Sequence, residues 1–277
     1  MNISNRAKYI ETNTVAEAVT VRPDGSAVPV ESHIVREHSM NIFLNEVLIL
    51  RLVCTPGDLA ELTAGRLLSG GYIRSADEIE TISICEYGKD ARVYLKKPFS
   101  GKNGEPTAEA ILLESARTSE PTCCTDNRVI MTRRTDGSDP APLPKAEFRP
   151  EWIFSLAEAF HQDSKIHRRT SGTHACYLAA EGHILYSAED IGRHNAMDKA
   201  IGAAALQGLD TGRCILFTTG RVPADMVRKA ITAGFPILVS KSVPTDASIA
   251  LAKQYNLTLI CRAWPDSYEV FHLQEEL

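Results

Sequence analysis

Three near-continuous apolar runs stand at 214–219 (CILFTT), 236–241 (PILVSK) and 257–261 (LTLIC), separated by two stretches of helical spacing at 223–234 (PADMVRKAITAG) and 244–256 (PTDASIALAKQYN). A run that is apolar at almost every position offers no face to water, so a strand built from it must be covered on both sides. The intervening helices are the covers, with Pro223 near the start of one and Gly234 past its end. Strand alternating with helix predicts a largely parallel sheet flanked on both faces, an α/β arrangement. Upstream, the same part of the chain reads as a helix over 152–160, then strands at 173–180 (THACYLAA) and 183–187 (HILYS) joined through Glu181-Gly182. A further helix follows over 193–206.

The first part of the chain has a different rhythm. Residues 19–30 (VTVRPDGSAVPV) hold two short β-prone runs around Asp24-Gly25, a hairpin signal. Met40, Ile42 and Leu44 then alternate, followed by Val47, Ile49 and Val53. Thr55 is placed to cap a helix with Pro56 at its first position and Asp58 three residues after the cap. Leu59, Leu62 and Leu67 supply its apolar stripe, and Gly70-Gly71 stops it. Short strands are expected at 79–84 and 92–95, so this part reads as a β-rich α+β unit. Residues 133–150 (RRTDGSDPAPLPKAEFRP) carry four prolines and almost no apolar periodicity, the best linker in the chain. The expected division is therefore a β-rich N-terminal domain, 1–145, and an α/β domain, 146–277.

Charge and motif content exclude several classes. The 30 basic and 35 acidic side chains leave a formal net charge of -5, which gives no general affinity for nucleic acid or an anionic membrane. The most apolar neighbourhood, 41–53 (NIFLNEVLILRLV), is broken by Asn45, Glu46 and Arg51 and is too short to span a bilayer. The opening residues lack the apolar centre of a secretory signal, so a cytoplasmic protein with reduced thiols is expected. None of the eight histidines is followed by x-Glu, and no His-Glu-x-x-His or Cys-x-x-Cys occurs, so no structural metal is expected. The glycine-rich nucleotide fingerprints and the Gly-x-Ser-x-Gly elbow are missing too.

What remains is a set of turns and one pair of thiols. Ligands of an α/β sheet gather where strands end and helices begin. At those turns lie Thr170, Ser171, Gly172, Thr173 and His174, then Glu189, Asp190, Gly192, Arg193 and His194. Thr219, Gly220 and Arg221 follow, and finally Lys241, Ser242, Pro244 and Thr245. Hydroxyls and cations beside free helix amides suit a phosphate or diphosphate. Cys54, Cys176, Cys214 and Cys261 sit in or beside apolar runs and Cys85 ends another, so these five are read as small core residues. Cys123 and Cys124 stand in a polar stretch (SEPTCCTDNRV) near Arg117, Arg128, Arg133 and Arg134, the setting of reactive thiols. Adjacent α-carbons lie about 3.8 Å apart, less than an ordinary disulfide needs, so the two are suited to act as separate thiols.

The block SAEDIGRHNAMDKAIG (187–202) closely resembles the FdhD family, the formate dehydrogenase accessory sulfurtransferases. So do RRTSGTHAC (168–176), GRVPADMVRKA (220–230), SVPTDASIALAKQYNLTLI (242–260) and TPGDLAELTAGRLLSGGYI (55–73). The resemblance implies a β-rich N-terminal domain, a three-layer α/β/α C-terminal domain of cytidine-deaminase-like fold without zinc, and a homodimer. It implies a sulfur carrier that takes persulfide sulfur from a cysteine desulfurase. The sulfur then passes to the molybdenum of a bound Mo-bis(molybdopterin guanine dinucleotide), before that cofactor enters formate dehydrogenase. Contacts to the cofactor map by resemblance onto Arg262, Ala263, Trp264, Pro265, Asp266 and Ser267, joined by the phosphate-suited His174, Arg193, His194, Arg221, Lys241 and Thr245. Family members carry Cys-Gly-x-Cys-Gly where this chain has Cys123-Cys124, so either cysteine can be the carrier. A rival reading is a cofactor-binding chaperone in which these cysteines perform no chemistry.

Overall fold

The computed structural model describes residues 1–7, 10–97, 139–163 and 165–274. After β1 (Asn2–Asn5) comes the expected hairpin: β2 (Asn13–Val21) and β3 (Ala27–Val35) pair antiparallel about Asp24-Gly25, with Gly25 at φ 81°. Met40, Ile42 and Leu44 alternate inward along β4 (His38–Leu44), which pairs with β5 (Val47–Cys54). With β6 (Ile79–Ile84) and β7 (Asp90–Leu95) these form a five-stranded sheet in the order β1-β6-β7-β4-β5.

Between β5 and β6 lies α1 (Leu59–Ser69), which begins at Leu59 and not at Pro56, with Asp58 in the left-handed region as its cap. Thr55 does not cap it because its polar atoms are engaged elsewhere. Its amide donates to Asp190 Oδ2 at 3.0 Å, its hydroxyl accepts from the Ile191 amide at 3.0 Å, and its carbonyl accepts from Lys199 Nζ at 3.1 Å.

The second part runs α2 (Pro150–Asp163), α3 (Lys165–Thr170), β8 (His174–Ala180), β9 (His183–Asp190) and α4 (Arg193–Leu206). It continues with β10 (Ile215–Thr218), α5 (Ala224–Thr232), β11 (Ile237–Ser240), α6 (Asp246–Gln254), β12 (Thr258–Cys261) and β13 (Glu269–His272). Its six strands form one sheet in the order β13-β12-β11-β10-β8-β9. The expectation of a largely parallel sheet needs correction, because only β10, β11 and β12 run parallel. A tight turn through Glu181-Gly182 forces β9 back along β8, and a turn closed by the Trp264 amide on the Ser267 carbonyl at 2.7 Å reverses β13 against β12. Parallel neighbours need a crossover helix, and only α5 and α6 supply one here. The protein is thus a mixed α/β fold with several sheets.

Side-chain alternation sorts the second sheet into two faces. Tyr177, Phe217, Val239 and Ile260 pack with Ile153, Leu156 and Phe160 of α2. Leu178, Leu216, Leu238 and Leu259 join Met197 and Ile201 of α4, Met226 of α5, Leu62 and Leu67 of α1, and Ile42, Leu52 and Ile82 of the first sheet in one core. Cys54, Cys176, Cys214 and Cys261 are buried in it as expected, while Cys85 is only half-buried.

Backbone touches backbone where α1 crosses α4. A Cβ at Gly65 would stand 1.7 Å from the Asp198 carbonyl oxygen, and one at Gly202 would stand 1.8 Å from the Glu61 carbonyl oxygen. This close approach lets buried polar groups meet across the crossing. Lys229 Nζ of α5 donates to both Asp198 oxygens at 2.7 Å, and Ser69 Oγ of α1 donates to Asp198 Oδ1 at 2.5 Å. Lys199 Nζ pairs with Asp190 Oδ2 at 2.8 Å. Burial, with Arg66 second, brings the Lys229 ammonium down to about 8 against the pull of Asp198. Among the described residues no helix is long and apolar enough to cross a membrane.

Replacing Gly65 or Gly202 with alanine is expected to cost more than about 4 kcal/mol, since neither helix can move without breaking these buried pairs. Thermal denaturation of each variant beside the wild type measures it, and an unchanged melting temperature would contradict the close crossing.

Candidate ligand-binding site

The carboxyl ends of β10, β11 and β12 open beside the start of β8, and the turns there enclose a cavity of about 540 Å³. Thr219 comes from the turn after β10, Lys241 and Ser242 from the turn after β11, and Trp264 from the turn after β12. His167, Ser171, Gly172, Thr173 and His174 come from α3 and the turn into β8, and Ile191 from the entry to α4.

Each wall is held by a local device. Glu189 of β9 accepts from the Ile166 and His167 amides at 2.7 and 2.9 Å and so fixes the first turn of α3. His167 Nδ1 donates to the Thr173 carbonyl at 2.7 Å, which fixes the orientation of the ring. Ser171, at φ 52°, donates its amide to the His167 carbonyl at 2.6 Å and ends the helix. Thr219 Oγ1 accepts from the Ala175 amide at 3.0 Å and lies 3.3 Å from His174 Nδ1.

The electrostatics favour an anion. Lys241 Nζ sits 4.9 Å from the Trp264 ring centre and 5.6 Å from that of Phe160. Burial draws its ammonium below the ordinary lysine value, and it has no carboxylate partner among the described residues. Burial first, then the Arg193 guanidinium with the neighbouring His167 and His194, hold His174 below the ordinary imidazole value, with Asp190 opposing. Arg193 lies against Gly220, where an added Cβ would come within 2.8 Å of the arginine's own Cβ. One exposed aromatic ring beside a cation, with hydroxyls and imidazoles around it, fits a flat base with an attached phosphate.

Of the residues singled out from the sequence, His174, Lys241 and Trp264 line this cavity, and Arg193 borders it. His194 is buried behind it, its Nε2 2.8 Å from Asp225 Oδ2. Burial lowers the His194 value in spite of Asp225, and Asp225 is itself lowered because the bond and charge of His194 outweigh its burial. The pair is thus a neutral imidazole donating to a carboxylate, which leaves the buried Nδ1 lone pair without a partner among the described residues. Thr245 serves as the cap of α6, its Oγ1 accepting from the Ser248 amide at 3.3 Å. Arg221 is exposed outside the cavity lining, and Arg262 pairs with Glu269 at 2.7 Å. Ala263 is buried, and Pro265, Asp266 and Ser267 form the exposed turn beyond Trp264. Cys123 and Cys124 lie outside the described residues. Sequence reasoning missed His167 and Ile191. The first is hidden in a six-residue helix too short to show a period, and the second is an apolar residue in a polar turn.

The long EDIGRHNA-DK block is mostly internal wiring. Asp190 accepts from Thr55, Gly192 and Asn195, while Asp198 and Lys199 make the buried pairs already described.

Fold and site together define a mixed α/β protein with a cavity at the strand ends lined by one ammonium, two imidazoles and several hydroxyls. The family model described as FdhD/NarQ family matches residues 35–277, and the chain belongs to that family. The sulfur carrier protein FdhD of Listeria monocytogenes is 29% identical over 238 residues, covering 85% of this chain and 88% of that protein. Its namesake from Halalkalibacterium halodurans is 31% identical over 237 residues, covering 85% and 84%. A crystal structure from Desulfotalea psychrophila, described as a formate dehydrogenase accessory protein, superposes with a TM-score of 0.75 at 28% identity. It covers 95% of this chain and 97% of that one.

Burial of His194, which outweighs the opposing pull of Asp225, predicts that the ring stays neutral as pH falls through the ordinary imidazole range. A proton that the unfolded chain accepts and the folded chain refuses lowers stability as pH drops below about 6.5, by up to about 1.4 kcal/mol per pH unit. Ring-proton resonances followed by NMR read this directly, and a His194 titration above the ordinary value would contradict it.

Proposed function

We propose that this protein is a sulfur carrier for the maturation of formate dehydrogenase. Cys123 or Cys124 takes sulfane sulfur from a cysteine desulfurase. The persulfide then gives it to the molybdenum of Mo-bis(molybdopterin guanine dinucleotide), bound as substrate with a nucleotide end in the cavity, before the cofactor enters the dehydrogenase. The observation that carries the cofactor part is the pairing of Trp264 with Lys241 in a cavity that has no carboxylate side chain in its lining. A purine stacks on such a ring, and a diphosphate is matched by the ammonium, imidazoles and hydroxyls. The names of the relatives support the sulfur part.

In the first step the carrier thiolate attacks the outer sulfur of the desulfurase persulfide. One S–S bond forms, one breaks, and the desulfurase cysteine leaves as its thiolate. A persulfide ionises more readily than its parent thiol; when the S–S bond breaks the carrier would leave as its thiolate, and a reduced metal centre in the bound substrate would supply the two electrons that turn the sulfane sulfur into a sulfido ligand. The cytoplasm, where thiols stay reduced, is the compartment for this chemistry. A homodimer is part of the same reading. The exposed Val15, Val19 and Val21 of the β2–β3 hairpin are apolar surface that a second copy would cover.

Three experiments test the proposal. Incubation with a cysteine desulfurase and cysteine, followed by peptide mass mapping, is expected to place one added sulfur on Cys123 or Cys124; no persulfide on either residue rejects the carrier role. Replacing both cysteines with alanine is expected to abolish formate dehydrogenase activity in complementation, and full activity would favour the chaperone reading. For the cavity, Trp264→Ala is expected to weaken guanine-nucleotide binding by about tenfold or more, since a stacked base contributes about 1–3 kcal/mol. Calorimetric titration measures it, and equal affinity would remove the nucleotide from this cavity.

A further inference from the structure

An ammonium and two imidazoles face the cavity, and the neighbouring carboxylates are tied up in the protein. His167, His174 and Lys241 line it, and no carboxylate side chain is among its lining residues. The two nearest acids are already engaged. Glu189 accepts the first amides of α3, and Asp190 is saturated by Lys199, Asn195 and the Thr55 and Gly192 amides.

His174 stands at the centre of this arrangement. Facing it are Arg193 and His194 from α4, His167 from α3 and Asp190 from β9, and Lys241 from the turn after β11 shares its cavity. Its Nδ1 lies 3.3 Å from Thr219 Oγ1, a hydroxyl that donates or accepts equally well, so the ring has a partner in either protonation state. A further positive charge on this ring is costly beside Arg193 and Lys241 when no anion is bound. A bound dianion reverses that balance.

We propose that His174 takes up one proton from solvent when a diphosphate diester enters the cavity, making this a proton-coupled anion site. This rests on the placing of the cofactor's nucleotide end in the same cavity. The proton goes to the ring nitrogen left bare in the neutral form, and no bond between heavier atoms forms or breaks. Burial and then the Arg193 guanidinium hold the free imidazole below its ordinary value, and a dianion offsets that cation. Linkage then requires affinity to rise as pH falls. His174 is a specificity-determining residue in this scheme, since it strengthens binding only for ligands that bring negative charge.

The test uses guanosine diphosphate mannose, whose two esterified phosphates carry a fixed double charge near neutral pH, titrated calorimetrically into the full chain. The dissociation constant is expected to fall by up to about tenfold per pH unit between about pH 8.5 and about pH 5.5. In His174→Asn the values at the two ends are expected to agree within about twofold, while His167→Asn keeps the slope. Proton uptake is also read without any variant, by repeating the wild-type titration in buffers of different ionisation enthalpy. A flat wild-type profile with no proton uptake overturns the inference and leaves the nucleotide reading standing. A slope that survives in His174→Asn and vanishes in His167→Asn overturns the assignment to His174. Absence of binding at every pH overturns the nucleotide reading and this inference with it.

Discussion

Everything in this molecule is hung on the crossing of α1 and α4, where Gly65 and Gly202 let two helix backbones touch. Close approach brings Ser69 within reach of Asp198, and Asp198 within reach of Lys229 on a third helix. A buried lysine and a buried aspartate are each expensive in a medium of low dielectric, and they are tolerable only because each completes the other's hydrogen bonds. A few residues away, Asp190 and Lys199 do the same while holding the Thr55 backbone from the first part of the chain. Removing one partner from either pair would strand a charge, so the two parts of the chain are locked in register by electrostatic necessity as well as by apolar burial.

That lock has a consequence for the cavity. Asp190 ends β9, and the entry to α4 follows at once, so the residue that ties the two parts together also sets where Ile191 and Arg193 emerge. Its carboxylate is fully hydrogen-bonded in the interior, so it offers no direct ion pair to the groups that face the cavity. Glu189, its neighbour, is engaged in the same way by the amides of α3. The acids of the block thus point into structure, while imidazoles and an ammonium face the opening. A site for an anion results from where the carboxylates are used up.

Much of this is legible from residue order. Apolar runs at 214–219, 236–241 and 257–261 mark the strands β10, β11 and β12, since continuous hydrophobicity admits only double burial. Asp24-Gly25 and Glu181-Gly182 mark hairpin turns, in which Gly25, Glu181 and Gly182 take the left-handed region. The run from Arg193 to Leu206 is recovered as α4 with its ends intact. The turns after the strands are recovered as the walls of the cavity, with His174, Lys241 and Trp264 among them. Besides the strand directions of the second sheet, two polar residues misled, each with two possible employments. Thr55 has the form of a helix cap and spends itself on Asp190, Ile191 and Lys199 instead. Thr245 has the form of a phosphate contact and caps its own helix.

By itself, the sequence determines the membership of the chain in its family, the alternation of strand and helix in its second part, and the chemical types available at the strand ends. These follow from local pattern, where spacing along the chain is enough to dictate the outcome. Tertiary structure alone decides which polar groups face each other across long separations, such as Thr55 with Asp190 or Ser69 with Asp198. It also decides that β9 and β13 run against their neighbours, because a tight turn and not a helix connects them. A side chain can satisfy only one geometry at a time, and residue order does not say which of several willing partners is within 3 Å.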